Sequence, residues 1–268
     1  MKLKRGYIGA IANHKGGVGK TITTVNLAAA LALKKFKVLV VDSDPQSNST
    51  SYLLPSHTKI KDTLYELLDK ETPPPAIEDC IYPTVHPNLF ILPNVIESSG
   101  LEMPLTLDFP QSNTLLKETI RDYAIQNYDF TFVDVPPTLA IFLSLALHTS
   151  DFLLIPAEAG SGNSLEGIKG VLGLAQGIAK SGNKDFKFAK IVTNRVDRRV
   201  SACKANIEMA KLRFGEENIL RTPIPTSADF QNLEALKGHS IFTYRAQSKG
   251  AQAFRRIATE FIKFFEES

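Results

Sequence analysis

Two lysines, three glycines and a threonine fall within one short stretch near the start of the chain, Lys15-Gly16-Gly17-Val18-Gly19-Lys20-Thr21. Glycines let successive backbone N–H groups close around a phosphate, and a helix that begins there adds the positive end of its dipole. A lysine after the last glycine reaches the β- and γ-phosphates of a nucleotide, and the hydroxyl that follows it can ligate Mg²⁺. Lys20 and Thr21 suit those two roles. The general phosphate-loop pattern G-x-x-x-x-G-K-[ST] is not met literally, because His14 stands where its first glycine would fall. The loop carries instead a further cation, Lys15.

Carboxylates complete the chemistry. The apolar run Val38-Leu39-Val40-Val41 delivers Asp42 and Asp44 in Asp42-Ser43-Asp44-Pro45-Gln46, and Phe130-Thr131-Phe132-Val133 delivers Asp134 ahead of Val135-Pro136-Pro137. Carboxylates within reach of a phosphoryl-bound Mg²⁺ are what phosphoryl transfer requires.

These groups need a scaffold that brings distant segments to one edge. Short β-rich runs alternate with helical patterns from end to end. Strands are predicted at Tyr7–Asn13, Lys37–Val41, Asn88–Leu92, Phe130–Val133, Phe152–Ile155, Phe188–Thr193 and Asn218–Ile224. Helices are predicted near 21–33, 60–69, 111–127, 138–148, 163–180, 201–214 and 249–266. Several strands are apolar on both faces, as in a parallel sheet covered by helices on each side. The pattern predicts one α/β domain over 1–268, a P-loop NTPase with a mostly parallel, twisted sheet of about seven strands. Its ligand chemistry belongs at the carboxyl ends of the strands.

The loop Lys15 to Thr21, the segment Asp42-Ser43-Asp44-Pro45-Gln46 and the turn Asp134-Val135-Pro136-Pro137, in that order, resemble the deviant Walker A ATPases. Within that class they look most like the ParA/Soj group of DNA-partition ATPases. Ile155-Pro156-Ala157-Glu158, Thr222-Pro223-Ile224-Pro225 and the segment from Ser248 to Glu260 extend the resemblance over nearly the whole chain; residues 70–110 contribute least. The resemblance implies ATP and Mg²⁺ as ligands, with Gly16, Gly17, Val18, Gly19 and Ile22 lining the phosphates beside Lys15, Lys20 and Thr21. It implies that Asp44 places the attacking water, and that Asp42 and Asp134 support the Mg²⁺ shell. Lys15 would cross an ATP-sandwiched homodimer to the partner's phosphates, a role like that of an arginine finger. Asn194 and Pro225 fall where relatives contact adenine. Ile22 departs from the family, which usually has a second threonine there, so a hydroxyl contact is lost and a backbone one kept.

The same resemblance implies non-specific duplex DNA binding, a ParB-like adaptor that stimulates hydrolysis, and a cytoplasmic, nucleoid-associated protein that segregates a chromosome or plasmid. Positioning of a protein cargo, such as a carboxysome or a chemoreceptor array, is the alternative. Composition alone argues little for DNA, since 31 basic against 28 acidic residues leave only +3. A duplex grip would need cations gathered on one face, and the candidates are Arg198, Arg199, Arg245 and Lys249. Thr226 and Asp229 depart from Soj-like relatives, which usually carry arginines there. The chain starts directly at the ATPase, so no N-terminal helix-turn-helix is expected.

Two other relatives of the class fit less well. Cys80 and Cys203 are not where an iron–sulfur protein of the class would need them. A MinD-like protein ends in a basic amphipathic helix that lies on membranes. Here Phe254, Ile257, Ala258, Phe261, Ile262 and Phe265 form an apolar stripe, but the tail is Glu266-Glu267-Ser268. That stripe is expected to pack on the sheet, and no stable membrane binding is expected.

Overall fold

A computed structural model describes residues 3–161, 164–197 and 199–266. Its sheet has seven strands, β1 (Tyr7–Ile11), β2 (Val38–Asp42), β3 (Tyr82–Pro83), β4 (Leu89–Leu92), β5 (Phe130–Asp134), β6 (Phe152–Glu158) and β7 (Phe188–Asn194). Their order is β3-β4-β2-β5-β1-β6-β7. All pairings are parallel except that of β3 with β4. Every residue of β1, β2 and β5 is buried, which explains why these strands read as continuous apolar runs rather than alternating ones.

Alternate side chains along each strand feed two cores. On one face, Phe130, Phe132 and Phe152 pack under two helices, α1 (Lys20–Leu33) and, at the chain's end, the helix Lys249–Glu266. Phe261 of that last helix lies 5.3, 5.8 and 5.2 Å from those three rings. The apolar stripe of the last helix is thus consumed in the core, as its spacing predicts: Phe254, Ile257, Ala258 and Phe261 have no exposed surface. On the other face, Leu39, Val41, Val133 and Ile155 pack against helices Leu64–Leu68, Leu115–Asn127, Ile141–Thr149 and Ser164–Ser181. No helix of the described residues is long and apolar enough to cross a membrane.

The strand count agrees with the sequence, but one strand is a different one. Asn218–Ile224 does not form a ladder; it touches the sheet only at the bridges Ile191–Ile219 and Val196–Pro225. Pro223 and Pro225 have no N–H to donate, so the segment hooks on through Leu220 N–H to Ile191 O (2.9 Å) and Ile224 N–H to Thr193 O (2.8 Å). The seventh strand is instead the two-residue, antiparallel Tyr82–Pro83 at the opposite edge. The helix expected over 60–69 spans only Leu64–Leu68. Thr63 and Glu66 form a capping box that fixes its start.

Connections after β1, β2, β5, β6 and β7 all emerge at one edge of the sheet. The chain leaves central β1 toward β2 on one side and later returns to β6 on the other. The strand ends at that switch point form a crevice, which is where open α/β sheets bind ligands.

Candidate functional site

The loop between β1 and α1 forms the floor of that crevice. Gly17 and Gly19 adopt left-handed backbone angles, with φ of 75° and 89°, and Gly19 is the N-cap of α1. Nothing lies within 4 Å of a Cβ built at Gly16 or Gly17, so the loop is open on that side. At Gly19 the reverse holds, because a Cβ would stand 1.9 Å from the Asn194 amide nitrogen. That amide donates to Val18 O (2.8 Å), and its oxygen accepts from Arg195 N–H (2.8 Å). Asn194 at the end of β7 therefore braces the loop; it does not turn its polar atoms toward open solvent. Asn13 does the same from just beyond β1, accepting from Lys15 N–H (3.0 Å) and donating to Pro156 O (2.8 Å).

Lys20 is buried at 8% exposure and its ammonium donates back to Lys15 O at 3.3 Å. Burial lowers its pKa, while Asp134 and Asp44 pull it back up. The carboxylates face it from the neighbouring strand ends. Asp42 and Asp134 are register partners across β2 and β5, and both are fully buried. Burial, reinforced by the charge of Asp134, pushes Asp42 up to about 8. Burial likewise raises Asp134 to about 6, against hydrogen bonds from Ser49 and Thr21 that favour its charge.

Each carboxylate is held differently. Asp134 accepts from the hydroxyls of Thr24 (3.1 Å) and Ser49 (2.8 Å). Asp42 accepts the N–H and hydroxyl of Thr50, both at 2.8 Å, and so anchors α2 (Asn48–Leu53). Asp44 lies in the turn between them, where its carboxylate accepts Gln46 N–H (2.9 Å) and its carbonyl accepts Ser47 N–H (2.8 Å). Asn13, Thr24, Ser49 and Thr50 thus belong to the site, although sequence reasoning did not single them out.

Lys15 stays near the loop. It donates to the Ser161 hydroxyl (2.7 Å) and pairs with Glu158 at the end of β6 (3.5 Å), a carboxylate shared with Arg195 (3.6 Å). Ile22 is buried in the first turn of α1. Pro225 bridges to Val196 just beyond Asn194. The DNA candidates are not equivalent. Arg199 is closed on Asp197 (2.7 Å) and Arg245 on Asp229 (2.9 Å), whereas Lys249 is exposed at the start of the last helix. Arg198 lies outside the described residues.

The donor set suits a metal shared with a phosphate. Among the described residues no group of three or more His, Cys, Asp or Glu is placed to hold a cation by itself. Mg²⁺ normally takes one or two carboxylates or hydroxyls, phosphate oxygens and water rather than a protein cage. Thr21, Asp134 and Asp42 beside an open loop match that requirement. Phosphate would meet the first N–H groups of α1 and Lys20; Asp44 would border its far side.

Comparison with known proteins identifies the family. A family model described as an AAA domain matches residues 6–188. The sporulation initiation inhibitor protein Soj of Bacillus subtilis is 32% identical over 95% of this chain and 98% of its own length. The chromosome-partitioning ATPase Soj of Thermus thermophilus is 30% identical over 97% of this chain and 96% of its own length. In fold, the chain resembles McdA of Cyanothece in complex with ATP, with a TM-score of 0.81 and 23% identity over 96% of each chain. It also resembles cobyrinic acid a,c-diamide synthase of Mycobacterium smegmatis with bound ADP and magnesium, with a TM-score of 0.80 and 24% identity over 97% and 96% of the two chains. Matched along nearly its whole length by partition proteins, the chain belongs to the ParA/Soj family of partition ATPases.

Proposed function

We propose that this protein binds ATP with Mg²⁺ at the N-terminus of α1, hydrolyses it, and uses the nucleotide to pair with a second copy that holds non-specific duplex DNA. One observation carries the reading: beside a glycine loop open at Gly16 and Gly17, the buried Lys20 feels the charges of both Asp134 and Asp44, which oppose the lowering of its pKa by burial. Lys20 neutralises charge on the β- and γ-phosphates, and the N–H groups of Gly17 to Thr21 bind their oxygens. Thr21, Asp134 and Asp42 would hold Mg²⁺, which would supply charge neutralisation at the transferring phosphoryl group. Asp44 orients the attacking water, and Asp42 holds α2 through Thr50 and the Asp44 turn by accepting Asp44 N–H (3.3 Å). Asn194 fixes the loop, and Pro225 borders the base.

Lys15 leaves Glu158 and Ser161 to meet the partner's phosphates in the dimer. Its present contacts are half-exposed and worth about 1 kcal/mol or less, so they do not oppose that move strongly. The dimer doubles the exposed cations at Lys249, Arg199 and Arg245 and, with a ParB-like adaptor, moves a chromosome or plasmid over the nucleoid. The last helix supports DNA over membrane as the surface bound, because its apolar stripe is already buried. The single domain over 1–268 provides for all of these steps.

Phosphate release and light scattering test the scheme together. Asp44→Ala should bind ATP, lose nearly all turnover and accumulate as a dimer that retains duplex DNA at low salt. Lys15→Ala in that background should remain monomeric. Wild-type turnover in Asp44→Ala, or an equally stable dimer without Lys15, would show the roles to be misassigned.

A further inference from the structure

Away from the crevice, a cleft of about 1620 Å³ runs between the last helix, the end of α1 and the segment that follows helix Ser201–Phe214. Its charges are unevenly committed. The acids are occupied: Glu260 accepts Arg221 N–H (2.7 Å) and Thr222 N–H (3.3 Å), Glu216 pairs with Lys211 (3.4 Å), and Glu217 accepts from the Asn218 amide (3.3 Å). The side chains of Lys34, Arg221, Arg256 and Lys263 line the same cleft with no acid bonded to them among the described residues. The cleft also has apolar surface. Leu33, at the last position of α1, is 49% exposed, and Pro223 and Phe264 lie along the wall.

We propose that this cleft is a docking site for an acidic, amphipathic segment of a partner protein. Four cations without an acid partner among the described residues, around half-exposed apolar side chains, call for carboxylates and apolar groups on one strip of chain. From Arg255 to Phe264 the helical wall is about 14 Å long, enough for roughly nine helical residues. A DNA backbone offers phosphate but nothing to cover Leu33. The peptide is therefore the better occupant, and duplex DNA is a competing outcome for the experiment. The site involves neither the nucleotide crevice nor the candidate DNA residues Arg199, Arg245 and Lys249.

Fluorescence anisotropy on the full chain tests this with a labelled synthetic helix of roughly fourteen residues, Glu and Leu at helical spacing, and with the same peptide carrying Gln for Glu. The Glu peptide should bind saturably, weaken as salt rises, and bind the full chain at least about tenfold more tightly than the Gln peptide. Lys34→Glu with Lys263→Glu should reduce Glu-peptide binding at least about tenfold while ATP turnover is unchanged. Leu33→Ser should weaken the peptide and leave duplex DNA retention as it was. The proposal fails if the Glu peptide does not saturate, or if it binds the charge-reversed protein as well as the wild type. It fails equally if duplex DNA displaces the peptide and is lost in parallel with it in both variants, since the cleft would then be a phosphate surface.

Discussion

Replacing Gly19 by alanine probes the step by which the fold shapes its phosphate loop. Gly19 sits at φ 89°, where a side chain costs about 1–2 kcal/mol. The added Cβ would also stand 1.9 Å from the Asn194 amide nitrogen, so the amide must swing away and release Val18 O. A lost hydrogen bond adds about 1 kcal/mol. Gly17→Ala is the control, because its φ of 75° carries the same backbone penalty while a Cβ there meets nothing within 4 Å. Calorimetric melting of nucleotide-free protein should place Gly19→Ala at about 2–3 kcal/mol of destabilisation and Gly17→Ala at about 1–2. For a chain of this size the difference between them is about 2–4 °C in Tm. An Asn194→Ala background removes the clash, and there Gly19→Ala should cost about 1 kcal/mol less than in the wild type. Equal costs in the two backgrounds would refute the claim that Asn194 and Gly19 are mutually fitted.

The buried acids make a pH prediction. Asp42, raised to about 8 by burial and by Asp134, binds more protons folded than unfolded, so its contribution favours folding at low pH and fades as pH rises toward 8. In metal- and nucleotide-free protein, Asp42→Asn should flatten the decline of stability from about pH 5 to 8, by at most about 1.4 kcal/mol per pH unit; parallel denaturation curves would contradict the shift. At the other end of the sheet, Arg121 donates to Asp151 (2.7 Å), a fully buried carboxylate that also accepts Ile8 N–H (2.8 Å). Arg121→Met should cost about 3 kcal/mol, the low end for a broken buried pair, because Arg5 still reaches Asp151 at 2.8 Å. A loss under about 1 kcal/mol in urea titration would mean that Arg5 alone neutralises the acid.

Much of this was legible in the chain because burial writes its own pattern. β1, β2 and β5 read as unbroken apolar runs since both faces are covered, and the last helix shows its stripe because only one face is. Tyr82–Pro83 was not legible, since two residues carry no period; 218–224 misled because its β-forming Ile219, Leu220, Thr222 and Ile224 meet Pro223 and the following Pro225, which cannot donate to a ladder. In the site, the glycines, lysines and acids announced themselves by type and order. The hydroxyls that hold those acids did not. Thr24 and Ser49 reach Asp134 from 110 and 85 residues away, and threonine and serine are too common for a partner so distant to be inferred.

The electrostatics of the crevice connect the fold to its use. Asp42, Asp44 and Asp134 are buried at 7% exposure or less, and of the two loop lysines only Lys20 is comparably buried among them. Sheet packing cannot explain that imbalance, because neutral residues at the strand ends would avoid the desolvation that drives Asp42 to about 8. A divalent cation at the Asp134 side would reverse the imbalance and favour the charged forms of Asp42 and Asp134. Its own excess charge would then suit phosphate, the ligand a glycine loop at a helix N-terminus binds. Lys15, by contrast, stands outside this buried group, in a half-exposed pair with Glu158. The buried acids thus suit a metal, and the metal together with the loop suits a polyphosphate.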